Sequence, residues 1–174
     1  MPAPVLRAAT PADIPAITRI YAQSVRTGTA SFELDPPDEA EMLHRMQALL
    51  DGGFPYLAAS IDSALVGYAY AGPYRTRPAY RLTVEDSIYI DPRAQRRGVG
   101  GALLARLIEE SERRNFRQMV AVIGDSAQAA SIELHRAAGF KMVGAFRNVG
   151  YKFDRWLDSV MMQRALGPGA TTKP

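Results

Sequence analysis

The 174-residue chain contains no cysteine. Disulfides, cysteine-ligated zinc and a cysteine nucleophile are therefore excluded, and no metal site is expected. Long apolar runs are missing as well. None nears the roughly 20 residues that span a bilayer, and the opening MPAPVLRAATPAD lacks the apolar core of a signal peptide. The expectation is a cytoplasmic protein with no membrane partner. Charge of one sign is also scarce: 21 Lys and Arg stand against 18 Asp and Glu, interspersed, for a net +3. A nucleic-acid binder would cluster its basic residues, so no nucleic-acid partner is expected, although a local site for a small anion is allowed. Internal repeats and linkers are absent. One domain over residues 1–166 is expected, followed by a flexible Gly/Pro/Thr tail, GPGATTKP, over 167–174.

What is present is a mixed α/β pattern. Apolar residues make up 47%, enough for a core. Val5–Arg7 reads as a short strand. Thr10-Pro11-Ala12-Asp13 is a helix start, with a capping hydroxyl, an early proline and an acid in the first turn; Ile14, Ile17, Ile20 and Tyr21 continue it at helical spacing to about Ser24. Thr27–Pro37 is turn-rich. Met42, Met46 and Leu49 predict a second helix from Asp38 to Leu50, ended by Gly52-Gly53. Strands follow at Tyr56–Ile61 and Leu65–Ala71, joined by a tight turn at Asp62-Ser63. A basic, aromatic loop covers Gly72–Tyr80, and Thr83–Ile90 is a strand. Gly98–Arg113 is a helix, the wholly apolar Met119–Ile123 a strand buried on both faces, and Ala127–Ala138 a helix stopped by Gly139. Lys141–Phe146 and Trp156–Gln163 close the pattern as a pair of strands.

Between the strand at Thr83–Ile90 and the helix after it lies QRRGVGG, Gln95 to Gly101. A helix N-terminus offers unpaired N–H groups and partial positive charge. Glycines let a phosphate approach that backbone, and Arg96 and Arg97 add full charges. The chemistry is that of a diphosphate site. A P-loop would need Lys then Ser/Thr after its last glycine, whereas Ala102-Leu103 follow here. A dinucleotide fingerprint would need a glycine at Leu103 and a place after the first strand. Coenzyme A is the third candidate; solvated arginines at a glycine-rich helix start are the bland alternative.

Gln95-Arg96-Arg97-Gly98-Val99-Gly100 matches the Q/R-x-x-G-x-G/A signature of the GCN5-related N-acetyltransferases (GNAT). Over nearly the whole chain the sequence resembles the branch of that family with phosphinothricin and methionine sulfone/sulfoximine acetyltransferases. The matching stretches are YAGPYRTRPAYRLTVEDSIYI, VAVIG, SIELHRAAGF and GYKFDRWLD. The resemblance implies an α/β (α+β) GNAT fold: a mixed, mostly antiparallel central sheet with splayed middle strands and about four flanking helices. It implies acetyl-CoA as cofactor, bound by the backbone of Arg96, Arg97, Gly98, Val99, Gly100 and Gly101 at its diphosphate, by Ile88, Tyr89 and Ile90 along its arm, and by Ser131. Relatives often carry asparagine three residues before that serine; here it is Gln128.

The same resemblance gives Glu85, in TVED, the role of general base, and His135, in LHRAAGF, that of proton donor to the leaving thiolate. A partly desolvated carboxylate can accept an ammonium proton, although the pattern alone also allows a surface carboxylate beside Asp86. Adjacent strand residues point to opposite faces, so Glu85 and Asp86 should not share one site. Arg75 and Arg77, which can clamp a carboxylate, with Tyr80, Thr83 and Phe32, are implied to line a site for a small amino-acid-like acceptor. With no cysteine, the amine attacks the thioester directly. A protein or peptide amine as acceptor, or a non-catalytic acyl-CoA-binding module, are the alternatives. Members of the branch are commonly dimers, so a homodimer is implied, with Trp156 read as packing at a subunit contact. His44 is assigned nothing.

Overall fold

A computed structural model describes residues 3–174. Strand β1 (Val5–Ala8) leads into a short turn where Asp13 accepts the Thr10 N–H at 2.8 Å and is clamped by Arg7 through bonds of 2.6 and 2.7 Å. Helices α1 (Ile14–Thr27) and α2 (Glu39–Asp51) follow. Asp38 caps α2 by accepting the Glu41 N–H at 2.9 Å. Strands β2 (Tyr56–Ile61) and β3 (Ala64–Pro73) form a hairpin. Its turn residues Asp62 and Ser63 both sit in the left-handed region, φ 48° and 65°, the geometry a two-residue hairpin turn requires. Then come β4 (Thr83–Ile90), α3 (Val99–Arg113), β5 (Gln118–Gly124), α4 (Ala129–Ala137), β6 (Lys141–Lys152) and β7 (Arg155–Ala165).

The strands make one sheet in the order β1-β2-β3-β4-β5-β7-β6, antiparallel throughout except between β4 and β5. Period-2 alternation divides the core. Leu57, Ala69, Val84 and Met119 face α3, whose Leu103, Leu104 and Leu107 are fully buried. Tyr56, Ala58 and Tyr68 face α1 and α2, against Ile17, Val25 and Met46. This is the mixed, mostly antiparallel sheet with four helices that the family resemblance implies.

Several boundaries differ from expectation, three of them for a visible reason. Helix α1 continues past Ser24 to Thr27, whose hydroxyl donates back to Gln23 O at 2.8 Å before Gly28 ends the helix. Gly72 and Pro73 belong to β3 rather than to a loop; they lie beyond the end of β2, pairing only with β4, where a proline without an N–H is tolerated. Strand β6 runs to Lys152 rather than Phe146, and turns at Phe153-Asp154 (φ 53° and 55°) into β7. Its pairing is irregular between Phe146 and Gly150, where RNVG offers no apolar alternation to read. Past β7, the Arg117 guanidinium donates to Gly169 O, Thr172 Oγ1 and Lys173 O.

Candidate active site

The sheet opens at its one parallel pair. β4 and β5 are paired from Thr83–Gln118 to Asp86–Ala121 and no further. β4 then stays with β3 as far as Ile90–Gly67, and β5 stays with β7 as far as Gly124–Ser159. From Ser87 onward the β5-facing edge of β4 therefore carries backbone groups without strand partners. A cavity of about 650 Å³ occupies the wedge, within the range of ligand sites.

The mouth of the wedge is the glycine-arginine turn. Gly98 caps α3 at φ 77°, a left-handed conformation natural to glycine, and a side chain there or on Gly101 would meet open space. Arg96 is also left-handed, at φ 57°, a strained setting for a non-glycine residue. Together they turn the free N–H groups of the α3 N-terminus toward the cavity. Ile88, Tyr89, Ile90, Arg96, Gly98, Val99, Gly100, Gly101 and Ser131 all line it. Arg97 does not, and its Nε is buried without a hydrogen-bond partner among the described residues. The Tyr89 ring turns away, packing edge-on to Tyr21 at 4.9 Å, so it is the backbone of this residue that meets the cavity. A glycine-rich helix start followed by an unpaired strand edge fits a diphosphate joined to an extended, amide-bearing arm.

At the closed end of the wedge, β4 presents two acids to opposite faces. Glu85, half-buried, points to the α1/α2 side and, unlike Asp86, is not among the residues that line the cavity. Burial raises its pKa, the nearby Asp86 charge raises it further, and Arg75 partly offsets both. Asp86 points to the α3/α4 side, in register with Val84, Ile88 and Ile90. Its side chain is only 3% exposed, and its Oδ2 lies 2.9 Å from His135 Nε2. His135 Nδ1 lies 2.7 Å from Ser131 O, and Phe140 packs edge-on against the ring. Burial pulls the His135 pKa down, but the hydrogen bond and charge of Asp86, with the Ser131 carbonyl, outweigh it and leave it raised. Both ring nitrogens thus face acceptors, so the ring, when protonated, donates to each.

Similarity to known proteins accords with this architecture. The family model described as an acetyltransferase (GNAT) domain matches residues 6–161. The chain is 55% identical to a phosphinothricin N-acetyltransferase of Alcaligenes faecalis, covering 93% of this chain and 82% of that protein.

The chain belongs to the GNAT acetyltransferase family.

It is also 41% identical to an L-methionine sulfoximine/L-methionine sulfone acetyltransferase of Pseudomonas paraeruginosa, over 94% of this chain and 95% of that one. The crystal structure of a phosphinothricin acetyltransferase from Sinorhizobium meliloti in complex with AcCoA superposes with a TM-score of 0.96 at 48% identity, covering 98% and 92% of the two chains.

None of the remaining predicted residues of this acetyltransferase lines the cavity; they fall on two walls beside it. In the loop after β3, the Arg75 guanidinium sits 4.7 Å from the centre of the Tyr74 ring, and Tyr74 meets Tyr80 edge-on at 5.6 Å. This group leads into Thr83 at the start of β4, two residues from Glu85. Arg77 begins the short helical turn Pro78–Tyr80 and is exposed. Phe32 belongs to the other wall. Its ring lies against Gly124 and Gly150, where any side chain would collide with it.

Sequence reading missed what holds that second wall. Thr29 Oγ1 donates to Asp125 Oδ2 at 3.0 Å and accepts from Gln128 Nε2 at 2.9 Å. Lys152, buried, donates from Nζ to Ser31 O at 2.8 Å; burial lowers its pKa, with Glu33 opposing. Gln128 lines the cavity while its amide N–H reaches this loop, on an arm one methylene longer than asparagine's. Asp86 did leave a signal in the sequence: it is the acid in an otherwise apolar register of β4.

Proposed function

We propose that this acetyltransferase acetylates the α-amine of a small amino-acid-like acceptor of the phosphinothricin, methionine sulfoximine or methionine sulfone type, taking the acetyl group from acetyl-CoA. The observation that carries the reading is the position of Glu85: a half-buried carboxylate on the rung Glu85–Val120, next to the last rung before the wedge opens, with the Arg75 charge near it. The names of the similar proteins from Alcaligenes faecalis and Pseudomonas paraeruginosa support the acceptor class.

Bound acetyl-CoA supplies a thioester, an acyl donor already reactive toward amines. The diphosphate would rest on the N–H groups of Arg96 to Gly101, and the arm would pair with the open edge of β4 at Ile88 to Ile90. Arg75, with Arg77, would hold the acceptor's carboxylate bidentately. Glu85 would take the proton of the acceptor's ammonium, freeing the lone pair for attack; a pKa raised by burial makes it a stronger base than a free glutamate. Transfer would be direct, since the chain has no cysteine to carry an acyl group. His135 is the donor to the departing sulfur in this reading. To act so, its Nε2–H must part from Asp86, because both ring nitrogens are engaged at rest.

The edge of the sheet supports a homodimer. Val143, Phe146, Val149, Tyr151 and Trp156 are each more than half exposed on β6 and β7, an apolar array that a second copy of this chain would cover.

The test is thiol release from acetyl-CoA across phosphinothricin, methionine sulfoximine, methionine sulfone, common amino acids, polyamines and short peptides. Turnover confined to the amino-acid analogues is the expected result; turnover on peptides alone would overturn the acceptor assignment. Glu85→Gln should lower kcat by roughly a hundredfold to ten-thousandfold while leaving coenzyme A binding unchanged. Near-normal turnover in that variant would remove Glu85 as base.

A further inference from the structure

Asp86 is an expensive residue for its position. It stands in the register of Val84, Ile88 and Ile90, among the core that packs on α3. A carboxylate taken out of water there requires partners for both oxygens. Oδ2 has one, His135 Nε2. Oδ1 is buried and has none among the described residues. Asp86 nevertheless lines the cavity, as does His135. A buried acceptor without a partner, on the wall of a ligand cavity, is matched by a donor on the ligand.

The register says which part of the ligand. Asp86–Ala121 is the last paired rung before β4 and β5 part, so Asp86 marks the apex of the wedge. The mouth, with its free helix N–H groups, lies beyond Ile90 at the other end of the open edge. That edge is about 13 Å long at ~3.3 Å per residue, the span of an extended pantetheine arm. With the diphosphate at the mouth, the thioethyl end of the arm comes to the apex. The donor nearest that end is the amide N–H next to the thioethyl group.

We propose that Asp86 is a second anchor for coenzyme A: Oδ1 accepts the arm's amide N–H nearest the sulfur, while Oδ2 holds His135 in place. The inference rests on coenzyme A occupying this wedge. It gives a function to an acid that the transfer chemistry itself does not require, and it makes the two neighbouring acids a pair of opposite duties on either side of one rung. His135 then has a structural share in the same contact, since it fixes the carboxylate's orientation from α4.

Equilibrium binding by calorimetry, with no acetyl transfer involved, tests this. The probes are coenzyme A, an analogue with an ester oxygen in place of that one amide N–H, and 3′-phospho-ADP, which lacks the arm. The wild-type protein should bind the ester analogue roughly tenfold to a hundredfold more weakly than coenzyme A, the worth of a hydrogen bond to a charged acceptor. In Asp86→Ala that difference should vanish, while 3′-phospho-ADP binds as before, which also reports that the variant is folded. In Asp86→Asn, which keeps an acceptor oxygen but not the charge, the difference should shrink to a few-fold. Equal binding of coenzyme A and the ester analogue by the wild-type protein overturns the proposal. So does a penalty for the analogue that persists in Asp86→Ala, because the N–H then has another partner. Failure of the wild-type protein to bind either coenzyme A or 3′-phospho-ADP would instead bring down the assignment of the wedge, and this inference with it.

Discussion

Glu85 and Asp86 are chain neighbours that alternation sends into different surroundings. Glu85 is half-buried, with a pKa raised chiefly by burial. Acting as a base, it must be ionised, so kcat should fall as pH drops through a value above that of a free glutamate. A pH–rate profile should place the acid limb there, and Glu85→Gln should abolish it. Asp86 contributes to stability through His135. Folded His135 holds its proton more tightly than the unfolded chain does. The pair's stabilisation is therefore complete below the free imidazole value of about 6.5 and is lost as pH rises through the folded value. Asp86→Asn should thus lower the urea midpoint most near pH ~5.5 and least near pH ~9. A loss independent of pH would mean that the pair does not titrate in this way. Position 86 was legible as an anomaly in the sequence, an acid in an apolar register, but its partner was not.

Two elements carry the ligand walls, and they differ in how local they are. The turn before α3 depends on adjacent residues: Gly98 at φ 77° and Arg96 at φ 57° set the direction of the helix N–H groups. Gly98→Val would place a β-branched residue in the left-handed region, at a cost of about 1–2 kcal/mol. The Michaelis constant for acetyl-CoA should rise tenfold or more, with the acceptor's little changed. This element could be read in six residues. The loop with Thr29, Ser31 and Phe32 is held instead by groups remote in sequence: Gln128, which is 99 positions from Thr29, and Lys152, which is 121 from Ser31. Lys152→Met would strip the Ser31 carbonyl of its donor and lower stability by about 1–3 kcal/mol. Steady-state kinetics should show the acceptor's Michaelis constant rising several-fold and that of acetyl-CoA unchanged. Equal rises in both would assign the loop to the cofactor instead.

For the whole molecule, the sheet has one long edge strand, β6, with an apolar face toward solvent. Uncovered edges invite association, and in the proposed homodimer a second copy of the chain would cover this one. Trp156, 62% exposed and in edge contact with Tyr151 at 5.2 Å, lies within that face. Trp156→Glu should convert a dimer to a monomer in sedimentation velocity and leave the monomer folded, because the side chain contributes little to the monomer's own core. A monomeric wild-type protein would remove the dimer from the proposal.

The sequence by itself determined the order and kind of the elements and the glycine-rich start of α3, because each depends on spacing within a few residues: helical and strand periodicity and a glycine cluster before a helix; the candidate base came from the family resemblance, since an acid on a strand is no signal by itself. It left the extent of β6 unread, because a strand without apolar alternation owes its shape to its partner β7. Only the tertiary structure decided where β4 and β5 part, that His135 has both nitrogens occupied, that Gln128 reaches Thr29, and that one oxygen of Asp86 has no partner among the described residues. Those outcomes depend on groups that folding brings together from distant parts of the chain, 49 positions apart for Asp86 and His135. Which distant group fills a given hydrogen-bonding need is decided by packing, and no local pattern encodes it.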